Sequence, residues 1–245
     1  MSNLNVLVFH RVVEDEISEW SDVKLSLFKQ LLITAKCNNQ IIVSINDWSK
    51  NYFGDLAFSF DDGCLSDYEV VFPLLIKFNV LATFFIVPKL VNQKGYMTWN
   101  QIKEMSDAGM EIASHSMTHP YMTTLPAEQL LRELKDSKIQ IERYIGKEVT
   151  SFAYPFGDCT GRTHKAAIEV GYKNICTSRP GICKSKIKIL NRNSIHSNIV
   201  VSESNQLLNP NFNSIMKRQT GYLVRHVLKR FLGVSRYIKL RNFIY

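Results

Sequence analysis

Short apolar runs alternate with helical patterns along most of this 245-residue chain, and this alternation constrains the fold more than any other feature. Parallel strands need long crossover connections, which helices usually supply, so a repeated strand and helix order predicts a parallel sheet. Barrels of this kind often occupy about 200–250 residues as one domain. We therefore predict an α/β fold with a barrel over residues 1–203, in which seven runs are strands: residues 4–9, 40–45, 56–60, 80–87, 110–113, 150–154 and 173–177.

Two capping boxes mark the starts of predicted helices, because a hydroxyl residue precedes Glu or Gln by three positions. Ser66 with Glu69 would begin one helix, and Thr98 with Gln101 would begin another. Pro126 suits the first turn of a third helix, since proline lacks the N–H group that a first turn leaves unpaired. Each start lies between two predicted strands.

The positive charge of the chain is concentrated in residues 204–245. The net charge is +8, and this segment carries eight Lys or Arg and no acid, so the rest of the chain is neutral overall. Leu223, Val227 and Phe231 recur at helical spacing, which predicts a basic amphipathic tail with a break at Gly233. Such a helix could pack on the barrel or lie on an anionic membrane surface. We expect no nucleic-acid partner, because no recognised binding motif accompanies the charge.

The composition also bears on the compartment. No apolar run approaches the roughly 20 residues that span a bilayer. The apolar run near the amino terminus has six residues, and the five cysteines include no Cys-x-x-Cys pair, so neither a leader nor a disulfide framework is indicated. We expect a cytoplasmic protein, and the basic tail extends this expectation to peripheral contact with the inner membrane face.

Two adjacent carboxylates, Asp61 and Asp62, follow the apolar run at 56–60 and precede a glycine. Neighbouring negative charges at the end of a buried strand repel each other, and a metal ion would offset that repulsion. One carboxylate would then bind the ion and the other would handle protons. The alternative is an ordinary polar turn.

Polar residues follow two further predicted strands. His115 and His119 come after residues 110–113, and a proline and glycine turn comes after residues 150–154. Two histidines four residues apart can bind one metal, although they can also be surface or core histidines. Two histidines and one carboxylate make a three-ligand site with open positions, as in hydrolytic zinc sites. Together the clusters favour the metal interpretation.

The ordered motifs "FSFDDG", "SHSMTH" and "FAYPFG", with "VLVFHRV" near the start, resemble the polysaccharide deacetylases. This is the NodB-homology group of carbohydrate esterase family 4, and the resemblance covers roughly residues 4–200. It implies a deformed (β/α) barrel and metal-dependent hydrolysis of an N-acetyl group on an amino-sugar in a saccharide. The expected cofactor is a divalent ion, Zn²⁺ above others.

The resemblance also implies a role for each motif residue. Asp61 matches the general base, and the backbone N–H of Phe156 matches the donor to the oxyanion. The metal ligands implied are Asp62, His115 and His119.

The chain departs from the family pattern in two places. Ala153 stands where many members have an arginine, and Arg192 is a candidate to replace it, against an ordinary structural role. The late Leu-x-His motif has no clean copy, so His196 is the expected general acid, against a polar residue on the barrel rim. His10 is the reserve candidate.

The function expected from the sequence is N-deacetylation of a saccharide during surface-glycan biosynthesis, with a lipid-linked saccharide among the candidate substrates. Two alternatives stay open. One is hydrolysis of a non-sugar acyl amide on the same barrel. The other is a catalytically silent glycan-binding or membrane-docking subunit, which Ala153 keeps open.

Overall fold

A computed structural model describes residues 3–51, 53–184 and 189–232 of the chain. Strands and helices alternate through most of this part, as the apolar runs predict. In chain order the elements are β1 (Asn5–Phe9), β2 (Arg11–Val13), β3 (Asp22–Lys24), α1 (Leu25–Cys37), α2 (Ile45–Asn51), β4 (Leu56–Asp62), α3 (Phe72–Phe78), β5 (Thr83–Ile86), α4 (Trp99–Asp107), β6 (Glu111–Ser114), α5 (Ala127–Ile145), β7 (Ser151–Ala153), α6 (Gly161–Glu169), β8 (Asn174–Cys176), β9 (Ile189–Leu190), β10 (Asn193–Ser194), α7 (Ser204–Leu208) and α8 (Phe212–Leu232).

Eight of the strands form one parallel sheet, in the order β10-β1-β4-β5-β6-β7-β8-β9. The edge strands β9 and β10 are joined by two residues only, Asn191 and Arg192. So short a connection forces the sheet to curl until its two edges approach each other. The predicted α/β fold of the deformed barrel type is confirmed.

One predicted strand, at residues 40–45, is wrong. Ile42 forms a single parallel bridge with Leu56, and the chain becomes helical from Ile45. The Ser44 hydroxyl accepts a hydrogen bond from the backbone N–H of Asp47 at 3.1 Å, which supports the first turn of α2. The other six predicted runs overlap β1 and β4 to β8, whereas the short strands β2, β3, β9 and β10 were not predicted.

The two predicted capping boxes have different outcomes. The box at Thr98 is confirmed, because its hydroxyl accepts from the backbone of Gln101 and the Gln101 side chain accepts from the backbone of Thr98. The box at Ser66 is wrong, because the Ser66 hydroxyl instead accepts from the backbone N–H of Val12 at 3.3 Å. The chain then passes through a π-type turn, Asp67–Val71, before α3 begins.

Side chains of β4 alternate between two buried clusters, and this alternation determines the face of the sheet on which Asp61 lies. Phe58 and Phe60 pack with the helices in the larger cluster, while Ala57 belongs to the smaller one with Ala113 and Ala153. Because successive residues of a strand point to opposite faces, Asp61 lies on the same face as Ala57. The sheet therefore presents Asp61 on the face that carries the smaller cluster.

The helices after the sheet attach at its amino end. Leu207 and Leu208 of α7 are buried, and the Asn5 side chain donates to both of their carbonyls. Gln219 of α8 donates to the carbonyl of Pro180 at 3.0 Å, in a loop whose Cys183 pairs with Leu4 just before β1. No helix of the described residues has the length and apolar character needed to cross a membrane.

The predicted tail at 204–245 thus begins with a helix packed against the barrel, and the boundary after residue 203 stays a prediction. The predicted break at Gly233, and the whole of residues 233–245, lie outside the described residues.

Candidate active site

Three residues at the carboxyl ends of β4 and β6 bring metal-ligating atoms together. The Oδ1 atom of Asp62 lies 3.3 Å from Nε2 of His119 and 3.6 Å from Nε2 of His115. All three ligand atoms lie within 4.8 Å of one another. Oδ1 of Asp62 is buried and has no hydrogen-bond partner among the described residues. A buried carboxylate oxygen without a donor is costly alone, so this geometry fits a bound cation.

The two imidazoles are prepared to act as neutral ligands. The Nδ1–H group of His115 donates to the carbonyl of Ala153 at 2.8 Å, because a carbonyl can only accept, and this leaves the lone pair on Nε2 facing Asp62. Burial above all lowers the pKa of His119, to about 4. His119 is therefore uncharged at neutral pH, as a metal ligand requires.

Several residues of the site hold a strained backbone. Asp62, His119 and Phe156 have φ values of 77°, 63° and 58°, in the left-handed region that non-glycine residues seldom adopt. Such conformations cost about 1–3 kcal/mol each and cluster at functional sites. The surrounding fold offsets that cost and fixes where these side chains and amides point.

Asp61 lies beside the three ligands and is held by Arg192. The guanidinium donates to both carboxylate oxygens, with Nη1 to Oδ1 at 2.6 Å and Nη2 to Oδ2 at 2.8 Å. Arg192 is itself buried, donates from Nε to the carbonyl of Thr177, and lies over the ring of Phe85 at 5.1 Å. The candidate replacement for the arginine absent at Ala153 therefore bonds Asp61 directly.

This ion pair keeps Asp61 charged. Burial by itself would raise the pKa of the Asp61 carboxyl, but the Arg192 guanidinium outweighs burial, so the pKa lies below its ordinary value. A bidentate arginine also fixes the plane of the carboxylate. Asp61 is thus an oriented, ionised base beside the ligand cluster.

Replacing Arg192 with glutamine should lower the free energy of unfolding by about 3–5 kcal/mol at neutral pH, because Asp61 would be left buried without its partner. A lowered folded-state pKa stabilises the protein above the ordinary carboxyl pKa near 4. This contribution disappears as the pH falls through the folded-state value. Denaturant unfolding of both proteins measures the loss.

The matched control is Arg11→Gln, which breaks the bidentate pair of Arg11 with Asp22. Arg11 is 38% exposed, so its loss should cost less. Equal losses in the two variants would contradict the particular role of the buried pair.

Phe156 lies in the turn Pro155–Gly157 and faces the cluster from β7. Its ring is 44% exposed, stacks on Tyr121 at 4.1 Å and contacts His119 edge to face at 4.5 Å. Its backbone N–H has no acceptor among the residues that the structure describes. The aromatic ring of Phe156 therefore lies next to the candidate ligands, and its backbone N–H group is available to donate a hydrogen bond.

The two candidate acids, His10 and His196, both follow strands at the carboxyl end of the sheet. In the register, Val8 of β1 pairs with Ser194 of β10, so the chain reaches both histidines two residues later at the same level. The Nδ1 atom of His10 is buried and has no hydrogen-bond partner among the described residues. The His196 ring stacks on Trp20 at 4.5 Å. The structure therefore places both histidines at one level of the sheet and packs His196 against Trp20.

Sequence reasoning missed the surroundings of the motifs. Tyr121 and Trp20 were not singled out, although Tyr121 lies only two residues after His119. Asp67 is buried, and neither carboxyl oxygen has a partner among the described residues. Burial and the nearby Asp62 raise the pKa of Asp67 well above its ordinary value.

Comparison with known proteins gives the same family as the motifs. The family model described as polysaccharide deacetylase matches residues 52–175. The YxkH protein of Bacillus subtilis is 34% identical over 123 residues, which cover 50% of this chain and 44% of YxkH. The peptidoglycan-N-acetylglucosamine deacetylase of Bacillus cereus is 32% identical over 124 residues, or 50% of this chain and 56% of that protein.

A solved structure supports the fold over a longer span. The Streptococcus pyogenes deacetylase PplD in complex with acetate superimposes with a TM-score of 0.77 at 24% identity, covering 85% of this chain and 99% of that one. The chain spans about half the length of the curated relatives it matches. Since the family model covers half of the chain and the fold agrees, the chain belongs to the polysaccharide deacetylase family.

Proposed function

We propose that this protein is a metal-dependent hydrolase that removes an N-acetyl group from an amino-sugar in a saccharide. The observation that carries the proposal is the cluster of Asp62, His115 and His119 next to an ionised Asp61 held by Arg192. The named activity of the Bacillus cereus relative, on peptidoglycan N-acetylglucosamine, supports the same substrate class. The proposal includes a place in surface-glycan biosynthesis, with a saccharide carried on a lipid as one form of substrate.

The metal proposed is Zn²⁺, bound by Asp62, His115 and His119. Two neutral imidazoles and one carboxylate suit zinc, and three protein ligands leave positions open for water and substrate. When bound, a divalent ion supplies a Lewis acid that polarises the amide carbonyl and acidifies a water.

The chain's own residues supply the remaining chemistry. Asp61 accepts the proton of the attacking water, while Arg192 holds its carboxylate in place. The backbone N–H of Phe156 donates to the carbonyl oxygen as that oxygen gains charge, a contact worth about 3–4 kcal/mol. His196 then protonates the departing amine, with His10 as the alternative donor.

The Tyr121 and Phe156 rings give a reason to favour sugars among amide substrates. Phe156 is 44% exposed beside the cluster, and its ring is backed by Tyr121. An exposed aromatic face offers apolar contact to the C–H face of a sugar ring.

The test is acetate release from N-acetylglucosamine oligomers, with metal-depleted protein and with zinc restored. Release only with zinc is the expected result. Release from N-acetylated amino acids at an equal rate would favour the non-sugar alternative. Zinc binding without release from any acetylated sugar or amino acid would favour the silent glycan-binding alternative.

A further inference from the structure

Helix α8 exposes a row of apolar side chains along its outward side. Phe212, Met216, Leu223 and Val227 have exposed fractions of 74%, 45%, 57% and 47%. They follow one another at steps of four, seven and four residues, which places them on one face of an α-helix. We call these four residues the outer stripe.

Other residues of α8 contact the barrel. Ser214 is buried, Arg218 is half-buried, and Gln219, which lies beside the outer stripe on the helix surface, donates to the carbonyl of Pro180 at 3.0 Å. These contacts anchor the helix, while the four side chains of the outer stripe stay about half exposed or more. A row of exposed apolar side chains on a helix is typical of an interaction surface.

The charge of the segment around the outer stripe indicates which kind of partner this surface binds. Lys217 is exposed on α8, and residues 204–245 carry eight Lys or Arg and no acid. A helix with an apolar face and basic residues lies well at a lipid interface, where apolar side chains enter the acyl boundary and cations meet anionic headgroups. Binding to an uncharged apolar partner would not be strengthened by the positive charge of this segment.

We propose that α8 docks the protein on an anionic lipid surface through the outer stripe and the basic residues of its segment. None of the four stripe residues belongs to the cluster of candidate metal ligands at the carboxyl end of the sheet. Docking can therefore be measured separately from the proposed hydrolysis, without substrate.

The first test measures sedimentation of the full chain with phosphatidylcholine vesicles, with and without phosphatidylserine. The parent should bind only the anionic vesicles, and high salt should weaken binding because it screens the charges. The variant with Lys217→Glu, Arg225→Glu and Lys229→Glu should bind at least about 100-fold more weakly, at about fivefold per charge removed.

The matched control makes the same change in net charge elsewhere. Lys29, Lys36 and Lys77 are exposed and lie outside the tail, and all three are changed to Glu. This control should bind anionic vesicles nearly as tightly as the parent. If it weakens binding as much as the α8 variant, the overall charge of the protein is responsible and the proposal is wrong.

The second test removes the stripe and keeps the charge. Phe212→Ser with Leu223→Ser should weaken vesicle binding at least about tenfold, since buried apolar area would be lost. Ile139→Ser with Ile168→Ser is the control, because these side chains are 51% and 43% exposed on α5 and α6. This control should leave binding unchanged.

Two results would overturn the proposal. One is equal binding to neutral and anionic vesicles by the parent chain. The other is a parent protein that does not bind vesicles but forms a dimer in solution. If the stripe variant is monomeric, the stripe binds a second copy of the chain and not a lipid surface. Thermal unfolding of each variant confirms that it is folded before binding is measured.

Discussion

Replacing His115 with alanine is expected to abolish metal binding, from one ion per chain to none, and the proposed hydrolysis with it. His115 supplies one of three ligand atoms that lie within 4.8 Å of one another. Its Nδ1 bond to Ala153 leaves the lone pair of Nε2 facing Asp62, and alanine offers no atom in that place. Elemental analysis of the purified variant, after exposure to zinc, measures the loss.

A folding defect must be separated from ligand loss, because His115 is only 2% exposed. His119→Ala provides the second variant, since His119 is less buried and should also lose the ion. His164→Gln is the control: His164 bonds the Tyr154 hydroxyl at 3.1 Å, away from the cluster, and should keep full metal content. Stoichiometric metal in a folded His115→Ala protein would refute the ligand assignment.

Changing Asp61 to asparagine should keep the metal and lower kcat by about 10²–10⁴-fold, because a base is removed without removing a ligand. Asp61 accepts both bonds of the Arg192 guanidinium, and its Oδ2 lies 3.8 Å from Nε2 of His115, outside the ligand cluster. The measurement is acetate release under saturating substrate, together with metal content. Loss of metal in Asp61→Asn and retention in Asp62→Asn would mean that the two roles are reversed.

Asp61→Asn also leaves the Arg192 charge buried without its carboxylate, which should destabilise the fold. The double variant Asp61→Asn with Arg192→Gln removes both charges and should recover part of the lost stability. Turnover should stay as low as in the single variant, because the base is still absent. Recovery of activity together with stability would show that Asp61 acts on the fold alone.

The elements that the sequence predicted well are those with a local pattern. Asp61, Asp62 and His115 each follow an apolar run, and the carboxyl ends of parallel strands converge at one edge. Their proximity follows from topology once the runs are recognised as parallel strands. The Thr98 capping box succeeded for the same reason, since both of its partners lie within one turn.

The elements that failed depend on distant partners. Residues 40–45 have the composition of a strand, but Ile41 is 42% exposed and the Ser44 hydroxyl supports a helix start instead. The strands β9 and β10 have two residues each, too few to show any periodicity. Arg192 lies 131 residues from Asp61, so the sequence could name it as a candidate, but no local pattern could decide between that role and an ordinary structural one.

The short connection between β9 and β10 has a consequence for the order of events during synthesis. All three proposed metal ligands are made by the time His119 is added, but Arg192 lies in the connection that joins the two edges of the sheet. Until then Asp61 lacks the guanidinium that bonds both of its carboxylate oxygens. A nascent chain can therefore assemble the proposed ligands early, yet the proposed base is oriented only when the last strands close the barrel.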